Sequence, residues 1–378
     1  MKGKILVNPF PVNTYQGEEY FCDRKEETAR LISNMKNGNS TTIIAIRRIG
    51  KTGLIQHVLS QLPKGWKGIY IDILETENLN QFLNILATSI ITSAPEKSGT
   101  GKSIWNFIKS LRPVISFDNL TGSPQASFDV KPPEAQANIS SVLEFLDKQD
   151  FNTLIAIDEF QQILNYPEKN PDSWLRSRIQ QLKNVTFLFS GSQQHLMTEL
   201  FTSPKRPFYR STQMMKLEKL DQRIYSEFII SMFNKYNKGI SPEIALDMLN
   251  WSNTHTFYVQ QLCNRVFSTT KTNVTSENWK QQAYLLLKEQ EPVFFSYRSM
   301  LSNPQWQLLK ALADEGLVYQ PTSGKFLDKH HLGTSATVLR SLKALQVYDL
   351  VYKDFDKDGT PFYSVYDLFL HRWVESRY

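Results

Sequence analysis

The sequence predicts an α/β chain: a parallel sheet sandwiched by helices, then a small helical domain, then three helices closed by a hairpin. Three observations predict it. Thr41 to Ile46, Thr153 to Ile157 and Val185 to Ser190 are short, nearly continuous apolar runs, as strands buried on both faces require. Thr41 to Ile46, a helical pattern from about Lys51 to Leu62 and a strand at Gly68 to Ile73 compose a β-α-β unit. Beyond about Asp221 the apolar spacing turns helical, with Ile224, Phe228, Ile229 and Phe233 on one face.

The remaining elements follow in order. A polar, aromatic-bearing segment from Phe10 to Glu27 leads into a helix marked by Ala29, Leu31, Ile32 and Met35, and Asn37-Gly38-Asn39 ends it. Between Ser93 and Ala137 Gly, Ser and Pro rise, and Pro113 to Phe117 and Ala126 to Val130 read as a hairpin inserted in the sheet domain. A helix at about Ile139 to Lys148 precedes the Thr153 strand, and Thr212 to Leu217 closes the sheet. After Gln305 come two helices, a third at Thr334 to Leu345, and a hairpin between Asp349 to Phe355 and Pro361 to Val365 with Asp358-Gly359 at its turn. Three helices and a hairpin indicate a winged helix. The expected division is 1–220 for the sheet domain, with its insertion at about 93–137, then 221–295 for a helical lid and 296–378 for the winged helix.

Composition sets outer bounds. At roughly 150 residues per domain, 378 residues make two or three domains, and 41% apolar with 21% charged residues is ordinary for folded protein. The surplus of 43 Lys+Arg over 37 Asp+Glu permits an anionic partner without demanding one. Cys22 and Cys263 stand far apart with no zinc spacing, which reads as two buried thiols in a reducing cytoplasm. Met1 to Val12, with Lys2 and Lys4, lacks the apolar centre of a signal peptide, and no run approaches the ~18 to 20 apolar residues of a membrane span.

The chemistry concentrates in two strings. Ala45-Ile46-Arg47-Arg48-Ile49-Gly50-Lys51-Thr52 fits the phosphate-loop pattern G-x-x-x-x-G-K-[ST] except that Ala45 replaces the first glycine. A strand precedes it and a helix follows, so main-chain N–H groups from Ile46 to Gly53 can wrap phosphates at a helix N-terminus. Lys51 then reaches the β- and γ-phosphates and the Thr52 hydroxyl ligates Mg²⁺. Gly99-Thr100-Gly101-Lys102-Ser103 spells a similar string, but no apolar strand leads into it and it reads as a flexible polar turn.

Leu154-Ile155-Ala156-Ile157-Asp158-Glu159 is an apolar strand ending in two carboxylates, at the sheet edge where open α/β folds bind ligands. Asp158 is placed to hold the Mg²⁺ shell, mostly through water, and Glu159 to polarise the attacking water. Alone, the pair equally fits a solvated loop start. Ser190-Gly191-Ser192 ends the next strand, where Ser192 either reports on a γ-phosphate or completes an ordinary turn. Neither N-K string, at Asn234-Lys235 or Asn237-Lys238, continues to the N-K-x-D of a guanine site, so ATP is expected over GTP.

On these residues the chain resembles the archaeal-type P-loop ATPases of the STAND/AAA+ grouping, found in archaea and Bacteroides-like bacteria, over nearly its whole length. Tyr20-Phe21-Cys22-Asp23-Arg24 is similar to that family's F-x-G-R motif beside the adenine, with Asp23 at the glycine. Arg47-Arg48-Ile49-Gly50-Lys51-Thr52 resembles its R-R-x-G-K-T loop, and Pro207-Phe208-Tyr209-Arg210 its P-L-Y-G-R segment without the glycine. The resemblance implies Arg24 beside the base and Arg210 on the γ-phosphate, in cis or from a neighbouring subunit; pairing with a surface carboxylate is the other reading of Arg210. Thr254-His255-Thr256-Phe257-Tyr258 stands where the family has G-G-H-P-Y, which implies that His255 approaches the nucleotide from the lid, although both glycines and the proline are absent.

The expected function is Mg-dependent ATP hydrolysis used as a switch among core, lid and winged helix, with a homo-oligomer or a protein client as partner. The alternative is an ATP-gated nucleic-acid-binding regulator, with DNA as the expected partner of the winged helix, acting through Arg340 and Lys343 on its third helix. Asp349, Asp354, Asp356 and Asp358 crowd the neighbouring hairpin and oppose that alternative.

Overall fold

A computed structural model describes residues 7–96 and 99–377; Lys2 and Lys4 lie outside them. The described chain divides into two compact units, one of residues 15–218 and one joining residues 7–14 to those from 219 onward.

The first unit holds α1 (Lys25–Lys36), β1 (Thr41–Ile44), α2 (Lys51–Ser60), β2 (Trp66–Asp72), α3 (Leu79–Ser93), α4 (Gly99–Ser110), β3 (Val114–Phe117), β4 (Pro124–Ser127), α5 (Pro132–Asp147), β5 (Asn152–Asp158), α6 (Pro171–Ile179), β6 (Val185–Ser190), α7 (Gln194–Thr202) and β7 (Gln213–Lys216). Five strands form one sheet in the order β2-β5-β6-β1-β7, and every neighbouring pair is parallel.

The pleat sorts each apolar strand into two layers. Ile155, Ile157, Phe187 and Phe189 pack with α3 and α5 on one face, while Leu154, Ala156 and Leu188 pack with α1 and α2 on the other. With both faces covered, the strands need the unbroken apolar runs seen in the sequence. The parallel register also brings the carboxyl ends of β1, β5 and β6 to one edge of the sheet.

Two expectations about this unit need correction. Gly99 to Ser103 is the first turn of α4 rather than a polar turn, because Ile104, Trp105 and Ile108 give the segment an apolar stripe that the core buries. The insertion is therefore a helix followed by the β3–β4 hairpin. The second correction concerns residues 7–14, which belong to the other unit: Phe10 is fully buried there between the rings of Phe233 and Phe267, Asn8 Nδ2 donates to Asn264 O, and Asn264 Nδ2 donates to Phe10 O.

The second unit continues with α8 (Gln222–Lys235), α9 (Pro242–Trp251), α10 (Thr256–Thr269), α11 (Ser276–Met300), α12 (Asn303–Glu315), α13 (Gly324–Lys329), α14 (Ser335–Val347), β8 (Val351–Phe355), β9 (Pro361–Val365) and α15 (Leu368–Arg377). Helices α12 to α14 and the antiparallel β8–β9 hairpin form the winged helix, with Val318 bridged to Tyr363 beside it. The expected boundary at 295/296 falls inside α11, which runs on past Pro292. Contacts also tie lid to winged helix: the Tyr258 hydroxyl donates to Tyr366 O and accepts from Leu368 N, and Trp251 packs on Phe369. Cys22 and Cys263 are both buried and unpaired by disulfide, and burial pushes the Cys22 thiol up to about 12. No described helix is long and apolar enough to cross a membrane.

Candidate nucleotide-binding site

The loop between β1 and α2 is shaped by a few backbone positions. Gly50 caps α2 with φ 105°, a left-handed angle that a side chain would strain. Ala45 is not among the positive-φ residues and is 1% exposed, so the methyl that replaces the usual glycine sits at an ordinary angle in the core. Ile49 anchors the loop from inside, also at 1% exposure, and leaves Arg47 and Arg48 exposed, the latter at φ 61°. Gly53 lies against the Phe21 ring, which stands 3.6 Å from where its Cβ would be.

Lys51 opens α2 and is buried. Its ammonium donates to Ile46 O at 3.2 Å, so the side chain curls back over its own loop. Burial pulls its pKa down, the negative charges of Asp158 and Glu159 push it back up, and Arg47 lowers it again. The net direction is downward: the pocket disfavours the cation when no anion faces it.

The loop meets the acidic strand end directly. Thr52 Oγ1 donates to Asp158 Oδ2 at 2.7 Å. The Tyr70 hydroxyl donates to the same oxygen at 3.2 Å, and Oδ1 accepts from the Ser190 hydroxyl and from Glu159 N. Asp158 is 2% exposed, a burial that a carboxylate tolerates because hydrogen bonds reach both oxygens. Burial, then the charge of Asp158, drives the Tyr70 phenol well above its ordinary value, so it stays a donor.

Glu159 sits in a left-handed turn at φ 56°. Its Oε2 accepts from Ser192 N at 3.1 Å, Ser192 Oγ at 2.7 Å and Gln161 Nε2 at 2.5 Å. Gly191 makes this approach possible: a Cβ there would stand 2.0 Å from Gln161 Oε1 and 2.7 Å from the Met197 sulfur. Asp72 pairs with Asp158 across β2 and β5, and burial raises its carboxyl, with Asp158 and Glu159 adding to the rise against a hydrogen bond from Leu74 N.

Thr52 and Asp158 offer hard oxygen donors within hydrogen-bond distance of each other beside a buried ammonium, which is the donor chemistry that magnesium takes. The residues present therefore fit a Mg²⁺–phosphate group.

Arg24, Arg210 and His255 each have their own surroundings. Arg24 is buried and pairs with Glu27 at 2.6 Å while donating to Glu218 O at 2.7 Å, which ties the start of α1 to the chain after β7. Arg210 is exposed, with its guanidinium 5.2 Å from the Tyr209 ring; Phe208 beside it is locked among Phe160, Phe189 and Phe201. Gln213 pairs with Thr41, so Arg210 precedes the amino end of β7 whereas Lys51 follows the carboxyl end of β1. The two residues therefore flank opposite ends of this pair of neighbouring strands. His255 belongs to the second unit, where it precedes α10 and tilts against Tyr258 with ring centroids 4.9 Å apart.

Tyr70, Asp72 and Gln161 were not singled out in the sequence, although Tyr70-Ile71-Asp72 at the end of a strand beside Asp158 was a usable signal.

The comparisons with known proteins agree with this architecture. Residues 292–376 match the family model described as "Probable winged helix domain". No curated protein matches the chain. Among solved structures, a Walker-type ATPase of Pyrococcus abyssi aligns over 97% of this chain and 99% of its own, with a TM-score of 0.67 and 16% identity. The ORC2 protein of Aeropyrum pernix, solved as ADPNP-ADP complexes, aligns over 97% and 96% with a TM-score of 0.59 and 12% identity. The ORC1 protein of the same organism, in complex with DNA, aligns over 98% and 97% with a TM-score of 0.53 and 11% identity. At these identities the likeness is one of fold: a parallel α/β sheet domain flanked by helices, with a C-terminal winged helix.

Proposed function

We propose that the chain is a cytoplasmic, Mg-dependent ATPase of the archaeal-type STAND/AAA+ grouping, in which hydrolysis switches the relation of sheet domain, lid and winged helix. The observation that carries the reading is the 2.7 Å contact of Thr52 with Asp158, which joins phosphate loop and acidic strand end at one place. The fold shared with a Walker-type ATPase and with a protein solved as ADPNP-ADP complexes supports ATP as the ligand.

In this reading the amides of Ile46 to Gly53 cradle the phosphates and Lys51 turns from Ile46 O to the β- and γ-oxygens. Thr52 and Asp158 would hold a magnesium ion, and such an ion would supply neutralisation of charge on the transferring phosphate. Glu159 would leave Ser192 to take a proton from the attacking water as the water oxygen bonds to the γ-phosphorus and the bond to the β–γ bridging oxygen breaks, releasing ADP, and Ser192 would turn to the γ-phosphate. Arg210 serves the site of a neighbouring copy, which makes the active form an oligomer. Arg24 supports the base side through the ordered start of α1, and His255 reads the nucleotide from the lid. The test is binding of a fluorescent ATP analogue with and without Mg²⁺, followed by phosphate release. A protein that binds no adenine nucleotide under either condition ends this proposal.

A second reading, DNA binding through the winged helix, draws on the exposed Arg340 and Lys343 of α14 and on the DNA complex of the Aeropyrum pernix ORC1 protein. Exposed Leu339 and Val347 on the same helix favour a protein partner, so the switch stands first. Gel shifts across a salt series separate the two, because phosphate contacts impose a steep salt dependence.

A further inference from the structure

An aspartate's χ2 is a broad, roughly two-fold rotor, so a carboxylate at a strand end has no fixed orientation of its own. Asp158 acquires one from its neighbours. Its strand β5 lies between β2 and β6, and hydroxyls reach it from both sides: Tyr70 on β2 donates to Oδ2 and Ser190 on β6 donates to Oδ1. Thr52 adds a donor from α2 above the sheet edge.

The Tyr70 contact is not an accident of packing. Its ring is half-buried against the layer that contains Leu154, Ala156, Ile55 and Val58, and burial of the ring alone leaves the hydroxyl position open. Register sets that position: Tyr70 pairs with Ala156, two residues before Asp158, so both side chains stand on the same face of the sheet. The rigid ring then delivers its hydroxyl to 3.2 Å from Oδ2.

We propose that Tyr70 is a positioning residue for the metal: it balances Ser190 and aims the Asp158 carboxylate at the magnesium beside Thr52. The inference rests on the Mg-ATP reading and adds to it a residue outside both sequence motifs. Without the phenol, Oδ2 keeps Thr52 as its one hydroxyl donor while Oδ1 keeps both Ser190 and Glu159 N, so the carboxylate is held less firmly in the orientation that faces the metal. Nucleotide contacts made by the loop amides and Lys51 do not pass through Tyr70, so binding without metal is unaffected.

Tyr70→Phe keeps the ring and removes the donor. The experiment titrates Mg²⁺ against the affinity of a fluorescent ATP analogue, with a parallel series in EDTA. Partners that orient metal ligands are typically worth about 10- to 100-fold in metal affinity. The Mg²⁺ concentration for half-maximal enhancement should therefore rise about 10-fold, with affinity in EDTA unchanged. An unaltered Mg²⁺ dependence overturns the proposal, and so does an equal loss in EDTA, which marks a structural role. Wild-type protein whose nucleotide affinity ignores Mg²⁺ overturns the underlying reading instead, before any variant is compared.

Discussion

Thr52 Oγ1 stands 2.7 Å from Asp158 Oδ2, joining the first turn of the helix after the loop to the end of the acidic strand across 106 positions of sequence. A single nucleotide–metal group can touch both only because the parallel sheet brings these two ends to one edge. Lys51→Ala should lower nucleotide affinity by at least ~10- to 100-fold, the worth of a charge-assisted hydrogen bond of ~1.5–3 kcal/mol. Asp158→Asn should instead keep metal-free binding and lose the Mg²⁺ enhancement. Titration of a fluorescent nucleotide with and without metal checks both. An Asp158→Asn protein that keeps the full Mg²⁺ enhancement would show that the strand end does not serve the ligand held by the loop.

The buried ammonium has a cost that can be measured separately. Because burial lowers the Lys51 pKa, the folded protein without nucleotide disfavours the charged form. Lys51→Met removes that charge while filling its volume, so the melting temperature without nucleotide should rise. About 1 kcal/mol corresponds to about 2–4 °C in a domain of this size. A lower melting temperature in calorimetry would mean that Lys51 is held mainly by the acidic pair.

Glu159 is occupied by Ser192 and Gln161 rather than facing open solvent. Glu159→Gln should retain ATP affinity and lose turnover by about 10²- to 10⁴-fold, the usual worth of general base catalysis. Ser192→Ala removes a donor at 2.7 Å and should change turnover without changing metal-free nucleotide binding. Single-turnover phosphate release distinguishes these outcomes. If Glu159→Gln hydrolyses normally, the base lies elsewhere.

Much of this site was legible in the sequence because each half is local. The loop needs a strand, eight consecutive residues and a helix, and the strand end needs one apolar run and two carboxylates. What was not legible depends on register between distant segments. Tyr70 meets Asp158 from 88 positions away, and the choice between Tyr70 and its neighbours is made by pairing with Ala156. Arg210 was visible as a residue, but its place before the amino end of β7 follows from the pairing of Gln213 with Thr41. Phe10 looked like part of the first domain because its partners, Phe233 and Phe267, lie more than half the chain away. The Gly99 string reads as a turn in isolation because its polar first turn precedes the stripe of Ile104, Trp105 and Ile108 that makes it a helix.

Arg210 offers a test that needs two chains. In the proposed oligomer it serves a neighbouring site, and a transition-state arginine is worth about 10³ to 10⁵ in rate. Arg210→Ala alone should bind ATP and fail to hydrolyse it. Mixed with Lys51→Ala protein, which keeps its arginine and lacks a working loop, it should regain part of the activity. No recovery in steady-state assays of the mixture would remove Arg210 from catalysis.

His57 ties the same helix to the aromatic segment before it, and its protonation should show in stability. The Tyr15 hydroxyl lies 2.9 Å from Nδ1, and the Phe21 ring stacks on the imidazole with centroids 4.4 Å apart and planes 22° from parallel. Burial lowers its pKa from 6.5, with Glu18 acting in the opposite direction. The folded state therefore binds fewer protons than the unfolded state in the window just below pH 6.5. Stability should accordingly rise with pH through that window and be lost as the pH falls, with the contribution fully present above it. His57→Gln cannot titrate and should flatten this part of the profile. Urea unfolding at closely spaced pH values measures the slope, and an identical slope in the variant would assign the acid sensitivity to other groups.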